Sequence, residues 1–178
     1  MKIIKLQEDF SMKKPIALLL AALLLPAALA CRAEPAAELP NPVRPAEAGD
    51  FAALGLALEA VEGAENLERS VIAGEIAEMR FDYEGRAYTY RTAVSQEDIS
   101  GVYESFDEEA LGMEADGADW YASVTVRSIR GGEGGALAAW RYGDAQYTLY
   151  TGDAVAPEAV GNLAVALAEK VCPRQAAD

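Results

Sequence analysis

The residues with chemistry to offer are mostly carboxylates. Asp107-Glu108-Glu109 is followed by Glu114-Ala115-Asp116-Gly117-Ala118-Asp119, which sets oxygen ligands around a glycine turn. Calcium takes ligands of this kind, but the spacing of an EF-hand and its closing glutamate are missing. A solvated acidic loop is the plainer expectation. Paired carboxylates also serve glycosidases. In so acidic a chain some pair falls at any chosen separation, and a small domain seldom supplies the deep cleft.

Other chemistries are excluded by composition. The chain has no histidine, so neither a Ser-His-Asp nor a Cys-His arrangement can form, nor a histidine-ligated zinc or iron site. Cys31 and Cys172 lack metal spacing and form no Cys-x-x-Cys motif. Lys170 is the only lysine beyond the first 30 residues, and no Ser-Lys pair or Schiff-base site is arranged around it. Gly131–Gly135 lacks the Lys-Ser/Thr of a phosphate loop and reads as a hinge. No catalytic residue, cofactor-binding residue or metal ligand is assigned, and no cofactor is expected.

Aromatic side chains are the remaining candidates for binding. Most of them should be core or cross-strand partners. Tyr121, Tyr142 and Tyr150 are expected opposite the core, and with Arg80 and Arg91 they make the candidate binding face. The net charge is −14 over 178 residues. Without residues 1–30 the remainder holds 11 basic and 27 acidic residues, a net of −16. Such a surface repels nucleic acid and anionic headgroups, so neither is expected as a partner.

The elements that must position these residues come next. Residues 1–31 resemble an export signal, with Lys13 and Lys14, an Ala/Leu run from Ile16 to Leu29, and a small-x-small site at Ala28-Leu29-Ala30. Met12 is the more ordinary start, which makes Met1–Ser11 an extension. Cys31 follows the cleavage site, where a bacterial lipoprotein carries its lipid. Ala28 and Leu29 depart from the usual lipobox. Lipidation of Cys31 would be the chain's one contact with the membrane. Ordinary cleavage would instead leave a secreted protein, in which a Cys31–Cys172 disulfide can form. Residues 32–49, rich in Pro, Ala and Glu, read as an extended tether.

The folded domain is expected over 50–172, with a disordered tail at 173–178. Asp50 N-caps a short helix ended by Gly55, although continuation to Val61 also fits because Leu54, Leu58 and Val61 share one face; Glu68–Ala73 is a strand. From Gly74 to Val94 two alternating runs meet at Glu84-Gly85, a β-hairpin pattern. A two-residue turn pairs Tyr83 with Arg86, Phe81 with Tyr88, Met79 with Tyr90 and Ala77 with Thr92 on one face. Glu78 with Arg91 and Arg80 with Thr89 share the other, the first as an exposed ion pair. Gln96–Gly101 reads as a turn, Val102–Phe106 as a strand and Asp107–Asp119 as irregular. Trp120–Arg130 alternates, with Trp120, Ala122, Val124 and Val126 inward. Ala136–Tyr142 and Gln146–Thr151 make a second hairpin around Gly143-Asp144, pairing Trp140 with Tyr147 and Ala138 with Leu149. A final helix begins near Pro157 and buries Val160, Leu163, Ala164, Leu167 and Val171.

These elements predict an α+β fold. It is a twisted antiparallel sheet of about five to six strands, with a short N-terminal and a longer C-terminal helix packed on one face. The functional expectation is an exported, non-enzymatic envelope domain that binds a protein or glycan or modulates a partner. A small carboxylate-dependent hydrolase and a structural or sensory ectodomain are the alternatives.

Several short motifs carry a resemblance. They are Asn41-Pro42, Gly63-Ala64-Glu65-Asn66, Ser70–Ala77, Tyr88-Thr89-Tyr90-Arg91 and Asp98-Ile99-Ser100-Gly101-Val102-Tyr103. With the Trp140 strand, the Tyr147-Thr148-Leu149 strand and the closing helix, the chain resembles a family of short exported or lipid-anchored proteins of unknown function from Gram-positive anaerobes. The resemblance implies one small α+β domain outside the membrane, a first helix stopping near Gly55, and an extended Leu56–Val61. It supplies no catalytic residues.

Overall fold

The computed structural model describes residues 42–131 and 134–175. The expected export signal, the site at Cys31, the start of the tether and the last three residues lie outside them.

Among the described residues eight strands form one antiparallel sheet: β1 Val43–Pro45, β2 Glu65–Ile72, β3 Ile76–Tyr83, β4 Arg86–Ala93, β5 Phe106–Asp116, β6 Tyr121–Ile129, β7 Ala136–Tyr142 and β8 Ala145–Thr151. Their spatial order is β1-β2-β3-β4-β8-β7-β6-β5. Helix α1 is Ala48–Ala53 and helix α2 is Pro157–Gln175. The antiparallel α+β character holds, but a sheet of five to six strands flanked by N- and C-terminal helices does not. The described residues are mostly sheet with one substantial helix, α2, since α1 has only six residues.

Two strands account for the error. β1 lies in the stretch expected to be a tether, where its Pro/Ala surroundings mask three extended residues; Val43, Arg44 and Pro45 pair with Ile72, Val71 and Ser70. β5 takes in Phe106 and most of the stretch expected to be irregular. Its acids suppress the strand signal because Asp and Glu are depleted in strands. Leu111, Met113 and Ala115 nevertheless alternate inward opposite Val126, Val124 and Ala122. Val102–Ser105, expected to be strand, is not regular structure.

The first hairpin has the expected register throughout, from Tyr83 opposite Arg86 to Ala77 opposite Thr92. Glu84 and Gly85 both take positive φ, 51° and 76°, the signature of a type I′ turn. Glutamate there is sterically unfavourable, so the apolar pairs outward of the turn hold the register. The Gly143-Asp144 hairpin also pairs as expected, Trp140 with Tyr147 and Ala138 with Leu149.

α1 starts one turn earlier than expected. Glu47 is the N-cap, and its backbone N–H donates to the Asp50 carboxylate at 2.8 Å in a capping box. Asp50 is therefore the third helical residue rather than the cap. Residues 56–61 are non-helical, and Leu56 and Leu58 enter the core.

One face of the sheet is apolar and covered. Val71, Met79, Phe81, Tyr88 and Tyr90 form one buried cluster with Phe51, Leu56 and Leu58 and with the α2 residues Val160, Leu163, Ala164, Leu167 and Val171. α2 lies against β5, β6, β7 and β8. It approaches closely at Gly161, where a Cβ would stand 2.1 Å from Met113 Sδ and 3.2 Å from Val126 Cγ2. Tyr90, Trp140 and Tyr147 stack in the middle, Trp140 and Tyr147 at 5.3 Å and Tyr90 and Trp140 at 5.8 Å.

Candidate functional site

Among the described residues the opposite face carries no helix. It is crossed instead by residues 94–105, which must travel from β4 near the sheet's centre to β5 at its far edge. This crossover is pinned at several points. Arg141 Nη2 donates to the Ser95 carbonyl at 3.0 Å, and Gln146 Nε2 donates to the Glu97 carbonyl. The Tyr150 hydroxyl donates to Glu104 Oε1 at 3.3 Å, and the Arg130 backbone N–H donates to the Ser105 carbonyl at 2.8 Å.

The tightest fastening is Arg91. Its Nη1 donates to the carbonyls of Ile99 at 3.1 Å and Ser100 at 2.7 Å. Its Nε and Nη2 both reach Glu78 Oε2, at 2.8 and 2.7 Å. Glu78 Oε1 accepts from Ser70 Oγ at 3.2 Å and meets Arg80 Nε at 3.0 Å. The Glu78–Arg91 pair was expected to be exposed, but the Glu78 side chain is 2% accessible and Arg91 16%. The crossover itself buries them. Gly101 lets it come so near, because its φ is +65° and a Cβ would stand 2.1 Å from Arg91 Nη1. Asp98–Gly101, the first four residues of the Asp98–Tyr103 motif, thus serve the structure, whereas Tyr103 is exposed. Asp98 Oδ1 accepts the Ser100 N–H at 2.8 Å, forming the turn that presents both carbonyls.

Between the crossover and strands β6, β7 and β8 lies a groove of about 650 Å³. Its lining includes Glu97, Phe106, Thr125, Arg127, Gln146 and Thr148. The surface is mixed: hydroxyl, amide, guanidinium and carboxylate groups stand beside the apolar Leu137, Ala139 and Phe106. Two further cavities, of about 560 and 390 Å³, share Arg80 in their lining.

The expected site residues divide accordingly. Arg80 is on the uncovered face and 58% accessible. Arg91 shares that face but is used up in fastening the crossover. Tyr150 is there too, with its hydroxyl pKa raised by burial and then by the Glu104 charge. Tyr121 is 54% exposed on the β5–β6 hairpin. It donates to Glu114 Oε1 at 3.1 Å, and that hydrogen bond is the main reason its pKa is raised. Tyr142 does not lie opposite the core as expected. It shares the parity of Trp140, lies on the core side, and meets Trp120 edge-on at 6.4 Å.

Sequence reasoning missed the groove. The alternation of β6 does put Thr125 and Arg127 on the uncovered face, but nothing local shows that the crossover passes beside them. The acids weighed as calcium ligands, and expected to form a solvated loop, instead lie along β5, except Asp119 in the turn that follows it. Among the described residues no three acidic or cysteine side chains converge to hold a metal. Cys172 is buried with a free thiol, and burial pushes its pKa up to about 11.

No protein-family model, curated protein or solved structure matches the chain.

Proposed function

We propose that the chain is an exported, non-catalytic binding domain of the cell envelope that takes a glycan in the groove beside the crossover. The observation that carries this reading is the groove's lining. Its volume is within the roughly 300–1,000 Å³ of small-ligand sites. Its walls combine an apolar strip at Leu137, Ala139 and Phe106 with hydroxyl, amide and guanidinium groups, the mixture that a sugar's faces and edges require. Sugar hydroxyls pair with Thr125, Thr148, Gln146 and Arg127, and Phe106 offers a ring for stacking. A hydrolytic role for the groove's adjacent acids has less support, because Asp98 is committed to the turn at Ser100.

The test uses the compact unit Asn41–Asp178 and soluble glycan fragments released from bacterial cell walls by muramidase digestion. Retention by the immobilised domain and its loss in Thr125→Glu/Arg127→Glu is the expected result. Equal retention by the variant excludes the groove. Export and anchoring rest on the Lys13–Cys31 pattern and the resemblance to lipid-anchored proteins. Mass spectrometry of the mature N-terminus tests them: a diacylglyceryl Cys31 is expected, and an unmodified Cys31 ends that part.

A further inference from the structure

The two edges of the sheet are built differently. β1 is three residues long and contains Pro45, so it is blunted against pairing. β5 spans eleven residues without proline, and among the described residues it pairs only with β6. Ala110–Asp116 is in regular register with Arg127–Tyr121. Along this stretch the backbone groups turned away from β6 have no strand partner among the described residues, which leaves them able to pair with another strand.

Before it the strand bulges. The chain advances four residues from Phe106 to Ala110 while β6 moves two, from Ile129 to Arg127. Asp107, Glu108 and Glu109 are exposed there. Beside them a cavity of about 510 Å³ is lined by Ala110, Leu111, Val126 and Pro157, with Glu158 adding a further carboxylate. Glu114 and Asp116 are exposed at the strand's other end. Two copies of β5 set side by side would bring acid against acid, which is destabilising. Lysines or arginines flanking an apolar centre match both the charges and the cavity.

We propose that β5 accepts an extended, basic segment of a partner protein as an added strand. Backbone pairing along Ala110–Asp116 supplies the attachment. An apolar side chain of the segment enters the cavity at Leu111 and Pro157, and its cations meet Asp107–Glu109 and Glu114. This surface is separate from the crossover groove and does not depend on it.

The probe is a nine-residue peptide of alternating valine and threonine with two lysines at each end, titrated into the isotope-labelled full chain. The expected result has three parts. Amides of Ala110–Asp116 shift and exchange more slowly. A glutamate-flanked peptide binds at least about tenfold more weakly, and added salt weakens the lysine peptide because charge pairing at a surface is screened. Glu109→Lys/Glu114→Lys, two exposed changes, reverses the preference between the two peptides. The proposal is overturned if the lysine peptide does not bind at about 1 mM, if it binds without protecting β5 amides, if both peptides bind alike, or if the chain pairs with itself through β5.

Discussion

Glu78 has two arginine partners on one face, and the structure predicts that they are far from equivalent. Arg80 reaches Oε1 from a side chain 58% accessible, so its ion pair is largely screened and should contribute roughly 0–1 kcal/mol. Arg91 is buried with Glu78 and makes two contacts to Oε2 and two to crossover carbonyls. Arg91→Ala would leave a buried carboxylate short of its main partner and two carbonyls without their donor. Breaking such a pair costs about 3–5 kcal/mol. With a urea dependence of about 2 kcal/mol/M, the midpoint should fall by about 1.5–2.5 M for Arg91→Ala. For Arg80→Ala it should fall by at most about 0.5 M at the same dependence. Replacing both members, as Glu78→Leu/Arg91→Leu, should cost less than Arg91→Ala alone, because no charge remains stranded. Amide exchange along residues 95–101 should quicken in Arg91→Ala and stay unchanged in Arg80→Ala. Equal midpoints for the two single variants, or a loss below about 1 kcal/mol for Arg91→Ala, would refute the assignment of Arg91 as the fastening of the crossover.

Other perturbations follow from the same geometry. Phe81→Asp places a carboxylate in the core beside Tyr88 and should abolish the cooperative thermal transition, since truncating a buried Phe alone costs about 3–5 kcal/mol. Gly101→Ala should cost about 1–3 kcal/mol in urea titration, through strained backbone and displacement of Arg91. Cys172 should resist a thiol reagent at pH 8 until denaturant is added, because the thiol is buried and its pKa is raised to about 11. Stability should fall in alkali. An unfolded Cys172 loses its proton near pH 9 while the folded thiol keeps it to about 11, so the unfolded state binds fewer protons across that window. The slope there should be about −1.4 kcal/mol per pH unit. Tyr90, raised well above its ordinary value by burial first and then by Tyr147, Cys172 and Glu59, adds its own loss above pH 10. A flat urea midpoint from pH 8 to 11 would contradict both burials.

The hairpins were legible because their signal is local. Large side chains recur at period two, and a two-residue turn then sets every pair from Tyr83–Arg86 outward. The final helix was legible for the same reason, since Pro157 and the Val160–Val171 stripe lie within one continuous segment. β5 was obscured because its acids serve the open side of the sheet while Leu111, Met113 and Ala115 serve the core. β1 was obscured by the prolines around it. The candidate site was mostly illegible. Its groove is made by a crossover whose path depends on where β5 pairs, and that pairing is set by contacts far apart in sequence. The same path turned a supposedly exposed Glu78–Arg91 pair into a buried one. Tyr142 was misassigned although its parity with Trp140 was visible.

Whether the groove between residues 94–105 and strands β6–β8 is a glycan site can be decided by one titration. The labelled Asn41–Asp178 unit is titrated with muramidase-released cell-wall glycan fragments and followed amide by amide. Shifts should be confined to Glu97, Phe106, Thr125, Arg127, Gln146, Thr148 and their neighbours, and should be lost in Thr125→Glu/Arg127→Glu. Shifts elsewhere with these residues unmoved, or none at all, would contradict the glycan site.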